Sequence, residues 1–305
     1  MCGPKETGEM RKFLVFMVLL SCFCISPERG FSSDKILKKQ SYGPPRDMDL
    51  TEVWKAWELI RTFYVDEKRL DKATLTRGLV KGMLYALGDK HGFFFKTDDF
   101  KNLIAATHSG VVCEMLVVKN KVDKEFRIGL LKISDFTGAT NAEVRQALRL
   151  LQKERFSRLI IDLRSNTGGE VGVAYNICGA FLGPDKVVAI KTSRRGEEEV
   201  LSVGEKICPE IPVVCLINES TASSAEIVAG ALRDHGRAKL VGAVSRGKGS
   251  MQTSFATEIG IIMFTTEYWM TPSRTPVEGS GLKPEIKVEK PKEILQAGVD
   301  TIVEM

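Results

Sequence analysis

Histidine is scarce in this chain, and the Cys-x-x-Cys pairs that bind metals or exchange disulfides are missing. The 305 residues contain three His and seven Cys, and no two Cys stand in a Cys-x-x-Cys spacing. A His-rich metal site, a zinc ribbon and a thioredoxin-type redox site are therefore unsupported. The excess of positive charge is also small, because 44 Lys and Arg residues face 39 Asp and Glu residues. This balance predicts no nucleic-acid partner.

The first residues indicate an export leader. Two basic residues precede an apolar run at 13–25, which is shorter than the roughly 20 residues that span a membrane. We interpret residues 1–26 as a signal peptide or a lipoprotein leader, and either Met1 or Met10 fits the start. We therefore expect the mature protein outside the cytoplasm of a bacterium, in the periplasm or anchored to a membrane by lipid.

The fate of the leader depends on one cysteine. Leu19-Leu-Ser-Cys22 resembles a bacterial lipobox, which would make Cys22 a lipidation site, and plain cleavage near Ser26 is the alternative. An exporting compartment permits disulfides among the later cysteines. However, Cys215 lies in an apolar run that predicts a buried strand, so we expect most of these cysteines to act as small apolar residues.

The rest of the chain divides by composition and apolar spacing. Residues 27–48 are polar with Gly and Pro and predict a linker. Helical spacing at 49–109 predicts an N-terminal helical region, in which we expect aromatic residues such as Trp54 to belong to a core. From 110 to 290, short β-rich runs alternate with helices, and this pattern predicts an α/β core. Residues 291–305 form a tail that is able to adopt a helix.

Apolar spacing also predicts the individual elements of these regions. Helices are expected at 49–64, 71–87, 97–106, 140–151 and 223–233, with a further helix ending near 182. Strands are expected at 127–133, 158–163, 187–190, 212–217, 239–242, 252–256 and 259–268.

Three stretches contain residues that could take part in catalysis or binding, and two of them are strand-to-helix turns. Residues 162–169 end in Gly168-Gly169, whose backbone N–H groups could stabilise an oxyanion, and an ordinary turn is the alternative. Residues 219–226 place small hydroxyl residues at a helix start, where they serve as caps or as a nucleophile. No Gly-x-Ser-x-Gly motif is present, and three His give a Ser-His-Asp triad little support.

The third stretch, 242–250, nearly matches a phosphate-binding P-loop. Gly249 replaces the hydroxyl residue that follows the lysine in that motif, and a β-rich segment follows instead of a helix. We therefore reject nucleotide binding. Glycines around Lys248 permit a tight loop in which a buried, neutral lysine could act as a base beside a serine.

Four segments together carry a family resemblance. They are 159–169 (LIIDLRSNTGG), 218–231 (NESTASSAEIVAGA), 234–237 (DHGR) and 241–252 (VGAVSRGKGSMQ). In this order they resemble the C-terminal processing peptidases, or tail-specific proteases, and the likeness covers about residues 126–290. It implies a crotonase/ClpP-like α/β protease core and a serine endopeptidase that acts on protein or peptide substrates without a metal or organic cofactor.

The resemblance also implies which residues act. Ser223 corresponds to the nucleophile, Lys248 to the general base and Gln252 to the residue that orients the lysine. A swapped Ser224-Ala225 leaves Ser223 and Ser224 as candidates for the nucleophile, and the 25-residue spacing to Lys248 favours Ser223. The oxyanion hole would use the backbone N–H of Ser224 and of either Gly168 or Gly169.

One departure from the family pattern concerns the PDZ domain that the family usually inserts before the core. Only Val111 to Glu125 separates Gly110 from the first core strand, and fifteen residues cannot form such a domain. We therefore expect no PDZ domain, and an adaptor protein could replace it. The departure also leaves an alternative function, a peptide-binding or scaffold protein that keeps the fold and has little or no activity.

Overall fold

A computed structural model of the chain describes residues 49–65, 70–99, 110–120 and 122–305. The predicted leader with Cys22, the predicted linker at 27–48 and most of the predicted helix at 97–106 lie outside these residues. The described residues form two compact units. The larger contains 110–253 and 265–305, and the smaller contains 49–99 and 254–264, apart from the gaps just given.

The elements are numbered in chain order. The helices are α1 (Thr51–Phe63), α2 (Lys72–Ala86), α3 (Thr140–Lys153), α4 (Val171–Leu182), α5 (Ser224–Asp234) and α6 (Ile294–Glu304). The strands are β1 (Phe93–Phe95), β2 (Val111–Lys119), β3 (Glu125–Ile133), β4 (Arg158–Asp162), β5 (Val187–Ser193), β6 (Gly196–Leu201), β7 (Val213–Ile217), β8 (Lys239–Gly242), β9 (Ser250–Thr257), β10 (Gly260–Met270) and β11 (Ile286–Lys287).

The smaller unit contains the two predicted N-terminal helices. The Asp71 carboxylate accepts a hydrogen bond of 2.8 Å from the Thr74 backbone N–H and so caps the start of α2. β1 pairs antiparallel with residues 261–263. The expectation that the aromatic residues of α1 belong to a core is wrong, because α1 contains no buried residue and Trp54 is 62% exposed.

A six-stranded sheet organises the larger unit, in the order β11-β8-β7-β4-β3-β2. β3, β4, β7 and β8 run parallel, and β2 pairs antiparallel with β3 at one edge. The α/β core predicted from the sequence is thereby confirmed. β2 was not predicted as a strand. In the structure, half-buried and exposed residues alternate along most of its length.

Alternate residues of each central strand face opposite sides of this sheet. Leu159 and Ile161 of β4 pack in one apolar cluster with residues of α3, α4 and α5. Ile160 of the same strand packs in a second cluster with Ile294 and Ile302 of α6. Fully burying such a side chain contributes about 1.5–3 kcal/mol, so the helices on both sides stabilise the sheet.

A smaller antiparallel arrangement lies beside this sheet in the larger unit. β5 pairs with β6 and, through residues 190–192, with the last residues of β10. β6 was not predicted, because three consecutive glutamates in Gly196–Leu201 are unfavourable for a strand.

The cysteines of the larger unit behave largely as the sequence predicts. Cys178, Cys208 and Cys215 are buried, and Cys113 is partly buried. Burial raises the pKa of Cys208 to about 11 and that of Cys215 to about 12, so both thiols stay protonated near neutral pH. Cys215 packs as a small apolar group, whereas the Cys208 sulfur also accepts a hydrogen bond from Arg237 over 3.2 Å. In the ranges that the structure describes, no helix is both long and apolar enough to span a membrane.

Candidate active site

The turns after β4 and β7 lie side by side at the carboxyl edge of the parallel sheet. The Thr221 hydroxyl donates to the Leu163 carbonyl over 2.8 Å, and the Ala222 backbone N–H donates to the Asn166 carbonyl over 2.9 Å. The Asn218 side chain accepts from the Ser165 backbone N–H over 2.8 Å. The two turns that the sequence singled out therefore form one hydrogen-bonded surface.

Ser223 lies at the junction between this surface and α5. Its backbone has φ of 54° and ψ of −121°, a conformation that residues other than glycine rarely adopt. Such strain costs of the order of 1–3 kcal/mol and persists only where neighbouring contacts hold it. The residue is 7% exposed, and the N-terminal end of α5 provides a partial positive charge close to its hydroxyl.

Gly168 comes so close to Ser223 that a side chain cannot fit. A methyl group at residue 168 would lie 2.7 Å from Ser223 Cβ and 3.0 Å from the Ala222 carbonyl oxygen, and the φ of 104° is itself unfavourable for other residues. A methyl group at Gly169 would lie 2.1 Å from the Phe136 carbonyl oxygen. Both glycines are therefore required by close packing as well as by backbone conformation.

The two glycines differ in the use of their backbone N–H groups. The Gly168 N–H donates to the Asn166 side-chain oxygen over 2.8 Å. Within the described residues, the N–H groups of Gly169 and Ser224 have no hydrogen-bond acceptor. The Ser224 hydroxyl donates to the Gly169 carbonyl over 2.9 Å, so these two residues are also tied to each other.

Lys248 belongs to the loop between β8 and β9, which is buried at residues 247–249. Its side chain is buried, and its amine donates to the Gln252 side-chain oxygen over 2.7 Å and to the Ser250 carbonyl over 3.3 Å. Trp269 of β10 anchors the loop by two hydrogen bonds. Its ring N–H donates to the Lys248 carbonyl over 3.1 Å, and its backbone N–H donates to the Gly249 carbonyl over 2.8 Å. The strand β9 that follows differs from the helix of a P-loop, in agreement with the rejection of nucleotide binding.

The orientation of Gln252 is fixed by a residue that the sequence did not reveal. The amide nitrogen of Gln252 donates to the Thr265 hydroxyl over 3.0 Å. Because the nitrogen faces Thr265, the amide oxygen faces Lys248. Thr265 lies on the neighbouring strand β10, thirteen residues away, and nothing in the local pattern marks it.

Glu226 is a second residue that the sequence reasoning missed, and it contacts both halves of the site. One carboxylate oxygen accepts the backbone N–H groups of Ser223, over 2.8 Å, and of Lys248, over 2.9 Å. The other accepts the Gly247 N–H over 2.8 Å and the Ser245 hydroxyl over 2.5 Å. Its position three residues after Ser223 is that of a capping box, which was the available signal.

The electrostatic state of Glu226 reflects two opposing effects. The side chain is fully buried, and burial raises the pKa of its carboxyl group by disfavouring the charged form. The four donated hydrogen bonds act in the opposite direction because they stabilise the carboxylate. In the described part of the chain, no group of three His, Cys, Asp or Glu side chains is arranged to hold a metal ion.

The sequence is similar to those of known proteins. Residues 127–288 match the sequence model described as Peptidase family S41. Over 188 residues the chain is 36% identical to a carboxy-terminal-processing protease of Bartonella bacilliformis, covering 59% of this chain and 42% of that protein. It is 30% identical over 173 residues to a probable CtpA-like serine protease of Staphylococcus aureus, covering 55% and 35%. The chain thus spans less than half the length of these relatives.

Solved structures support the fold alone. The photosystem II D1 C-terminal processing protease matches with a TM-score of 0.55 and 24% identity, covering 60% of this chain and 49% of that one. A lipoprotein from Streptococcus agalactiae matches with a TM-score of 0.58 and 16% identity, covering 99% of both chains.

The close approach at residue 168 predicts a strong and local effect of substitution. We expect Gly168→Ala to lower the free energy of unfolding by about 1–3 kcal/mol, because the methyl group clashes with Ser223 and with backbone atoms. The measurement is chemical denaturation monitored by circular dichroism.

A second glycine provides the matched control. Gly172 lies in α4, and a methyl group added to it would meet no atom within 4 Å, so Gly172→Ala should raise stability by about 0.5–1 kcal/mol. Equal effects of the two substitutions would contradict the close packing at Gly168.

Proposed function

The chain belongs to peptidase family S41, and we propose that it is a serine endopeptidase in which Ser223 is the nucleophile and Lys248 is the general base. The observation that carries this proposal is the shared anchoring of both residues on the Glu226 carboxylate. Ser223 has a strained backbone at the start of α5, Lys248 has a buried side chain, and the backbone N–H groups of both bond to the same carboxylate oxygen. This arrangement suits a serine activated by a neighbouring amine.

In the proposed reaction, the neutral Lys248 amine accepts the proton of the Ser223 hydroxyl as the oxygen attacks a peptide carbonyl carbon. A bond forms between Ser223 Oγ and that carbon, and the carbonyl oxygen becomes an oxyanion. When the carbon–nitrogen bond breaks, the Lys248 ammonium returns its proton to the leaving amine. Lys248 then accepts a proton from a water molecule that attacks the acyl carbon. The bond between that carbon and Ser223 Oγ breaks, Lys248 returns the proton to Ser223, and the acid is released.

The lysine must be neutral to act as a base. Burial disfavours the ammonium form of an amine, and Lys248 is 5% exposed. The Gln252 oxygen accepts a hydrogen bond from the amine without bringing a negative charge to it. We assign Gln252 to orient the amine, with Thr265 fixing the direction of the amide.

For the oxyanion hole we propose the backbone N–H groups of Gly169 and Ser224. Both lack an acceptor within the described residues, whereas the N–H of Gly168 is already bonded to Asn166. Donors of this kind contribute strongly when they are fixed in advance. Gly168 then acts by allowing the backbone to approach Ser223. The reaction requires no metal or organic cofactor.

We propose protein or peptide substrates with unfolded or exposed tails, hydrolysed outside the cytoplasm of a bacterium, with Cys22 as the candidate lipid anchor. In the segment where a PDZ domain would be expected, residues 111–119 form β2, which pairs with β3 along nine residues. This supports the view that no PDZ domain stands between Gly110 and β3. Recognition of the substrate's last residues would then require an adaptor protein.

The catalytic pair is tested by alanine substitution. Ser223→Ala and Lys248→Ala should each abolish cleavage of an unfolded reporter protein while leaving the circular dichroism spectrum unchanged. The double variant should be little worse than either single variant, because the two residues act as a unit.

Two neighbouring serines are the controls for this experiment. Ser220→Ala should have normal activity, and Ser224→Ala should keep part of it, because we assign Ser224 to act through its backbone. Near-normal turnover by Lys248→Ala, or complete loss in Ser224→Ala alone, would contradict the assignment. Absence of cleavage by the wild type under all conditions would favour the alternative of an inactive peptide-binding scaffold.

The proposed base predicts a particular pH dependence. Activity should rise with pH as the lysine loses its proton. Gln252→Glu would place a carboxylate next to the amine and favour the ammonium, so the ascending limb of the kcat profile should move to higher pH. Gln252→Ala should lower kcat with a smaller displacement. An unchanged limb in Gln252→Glu would argue against a titrating lysine.

The proposed lack of a PDZ domain predicts little dependence on the substrate's C-terminus. One unfolded substrate is prepared with a free, an amidated and a charge-substituted C-terminus, and kcat/KM is measured for each. We expect values within about threefold of one another, a difference of less than about 1 kcal/mol. A strong preference for a free apolar C-terminus would show that this chain itself provides tail recognition.

A further inference from the structure

The hydrogen bonds to Glu226 come from segments that are distant in the chain. Ser223 precedes α5, whereas Ser245, Gly247 and Lys248 belong to the loop after β8. The Ser245 hydroxyl also accepts the Leu282 backbone N–H over 2.7 Å, which links a third segment to the same carboxylate. Glu226 is therefore the point at which the nucleophile turn and the base loop are joined.

A carboxylate suits this position better than the other side chains of similar size. Two ionised oxygens offer about four acceptor positions and no donor, and four donors occupy them here. Glutamine would present its amide hydrogens to donors that point at it. An apolar residue would leave three backbone N–H groups buried without an acceptor, which is unfavourable.

We propose that Glu226 is a positioning residue that holds Ser223 and Lys248 in the relative placement needed for proton transfer, an inference that rests on the proposed function. Glu226 binds backbone atoms of both residues, so we assign it no contact with substrate. Of the four residues that donate to the carboxylate, Lys248 is the one with a titratable side chain. Glu226 must be ionised and Lys248 neutral, so both ionisations make the rate rise with pH.

The effect of losing this anchor falls on kcat. Without it, the backbone of Ser223 can relax from its strained conformation and the Lys248 loop can move. A displacement of about 1 Å in such a site can cost about 10²-fold in rate. KM should change little if substrate binding does not involve Glu226.

The test compares Glu226→Gln with Glu219→Gln in the full chain. Glu219 lies seven residues earlier on the exposed surface, so its substitution should leave activity unchanged. For Glu226→Gln we expect kcat to fall about 10²-fold and KM to stay within about threefold. Glu226→Asp keeps the charge and should recover part of the rate. Labelling of Ser223 by a fluorophosphonate should slow in parallel with kcat.

The pH profile separates positioning from a general loss of structure. In the wild type, the lower part of the ascending limb should contain a step above the usual range of a glutamate, because burial raises the pKa of Glu226. This step should be absent from folded Glu226→Gln. If Glu226→Gln does not fold, Ser245→Ala provides the test, since it keeps the charge and removes one donor. In Ser245→Ala, the step that reports the ionisation of Glu226 should move to higher pH, because the carboxylate accepts one hydrogen bond fewer.

The outcomes distinguish this inference from the proposed function. If the wild type cleaves nothing and Ser223 is not labelled, the proposed function fails. If the wild type is active, then wild-type kcat in folded Glu226→Gln would overturn the positioning role. Where that variant does not fold, an unshifted step and a normal kcat in Ser245→Ala would overturn it. An equal loss in Glu219→Gln would also overturn it, because the effect would not be specific to the buried carboxylate.

Discussion

The parallel alignment of β4 and β7 is the constraint on which the site depends. Asp162 pairs with Leu216 near the ends of these strands, so the turns that follow begin at the same level of the sheet. Their backbones can then exchange hydrogen bonds, and Gly168 can approach Ser223 closely. A shift in register between the strands would separate the two turns and expose their polar groups.

Two buried polar side chains, Glu226 and Lys248, lie in the same unit as these turns. The larger unit buries the Glu226 carboxylate, which accepts four hydrogen bonds, and the Lys248 amine, which donates to Gln252 and to the Ser250 carbonyl. Buried charges normally destabilise a protein unless they are paired or hydrogen bonded. Here the donors are mostly backbone N–H groups of tight turns, which would otherwise have needed acceptors of their own. The same contacts therefore satisfy the loops and stabilise the carboxylate.

The sequence predicted most of the α/β core because apolar spacing reports which residues share a buried face. It did not reveal β6, because pairing with β5 stabilises this strand although its three glutamates have a low preference for strands. It also did not reveal the exposure of α1, because the spacing of apolar residues does not show whether another element packs against them. The candidates Ser223, Lys248 and Gln252 came from the resemblance of their motifs to the family's motifs, and the spacing to Lys248 only favoured Ser223 over Ser224. The distinction between Gly168 and Gly169 depends on the hydrogen bond that the Gly168 N–H donates to the Asn166 side chain. The importance of Glu226 depends on a loop about twenty residues later, so neither could be deduced locally.

The backbone conformation of Ser223 has an evolutionary consequence. The strain resides in φ and ψ, not in the hydroxyl group, so a lineage that exchanges this serine for alanine loses its nucleophile but gains no relief from the strain. Glycine is the replacement that would relax the backbone and at the same time remove the hydroxyl. Descendants that lose activity and keep a binding role would therefore gain stability from glycine at position 223. An active lineage must keep the unfavourable backbone conformation of the serine and stabilise it through neighbouring contacts.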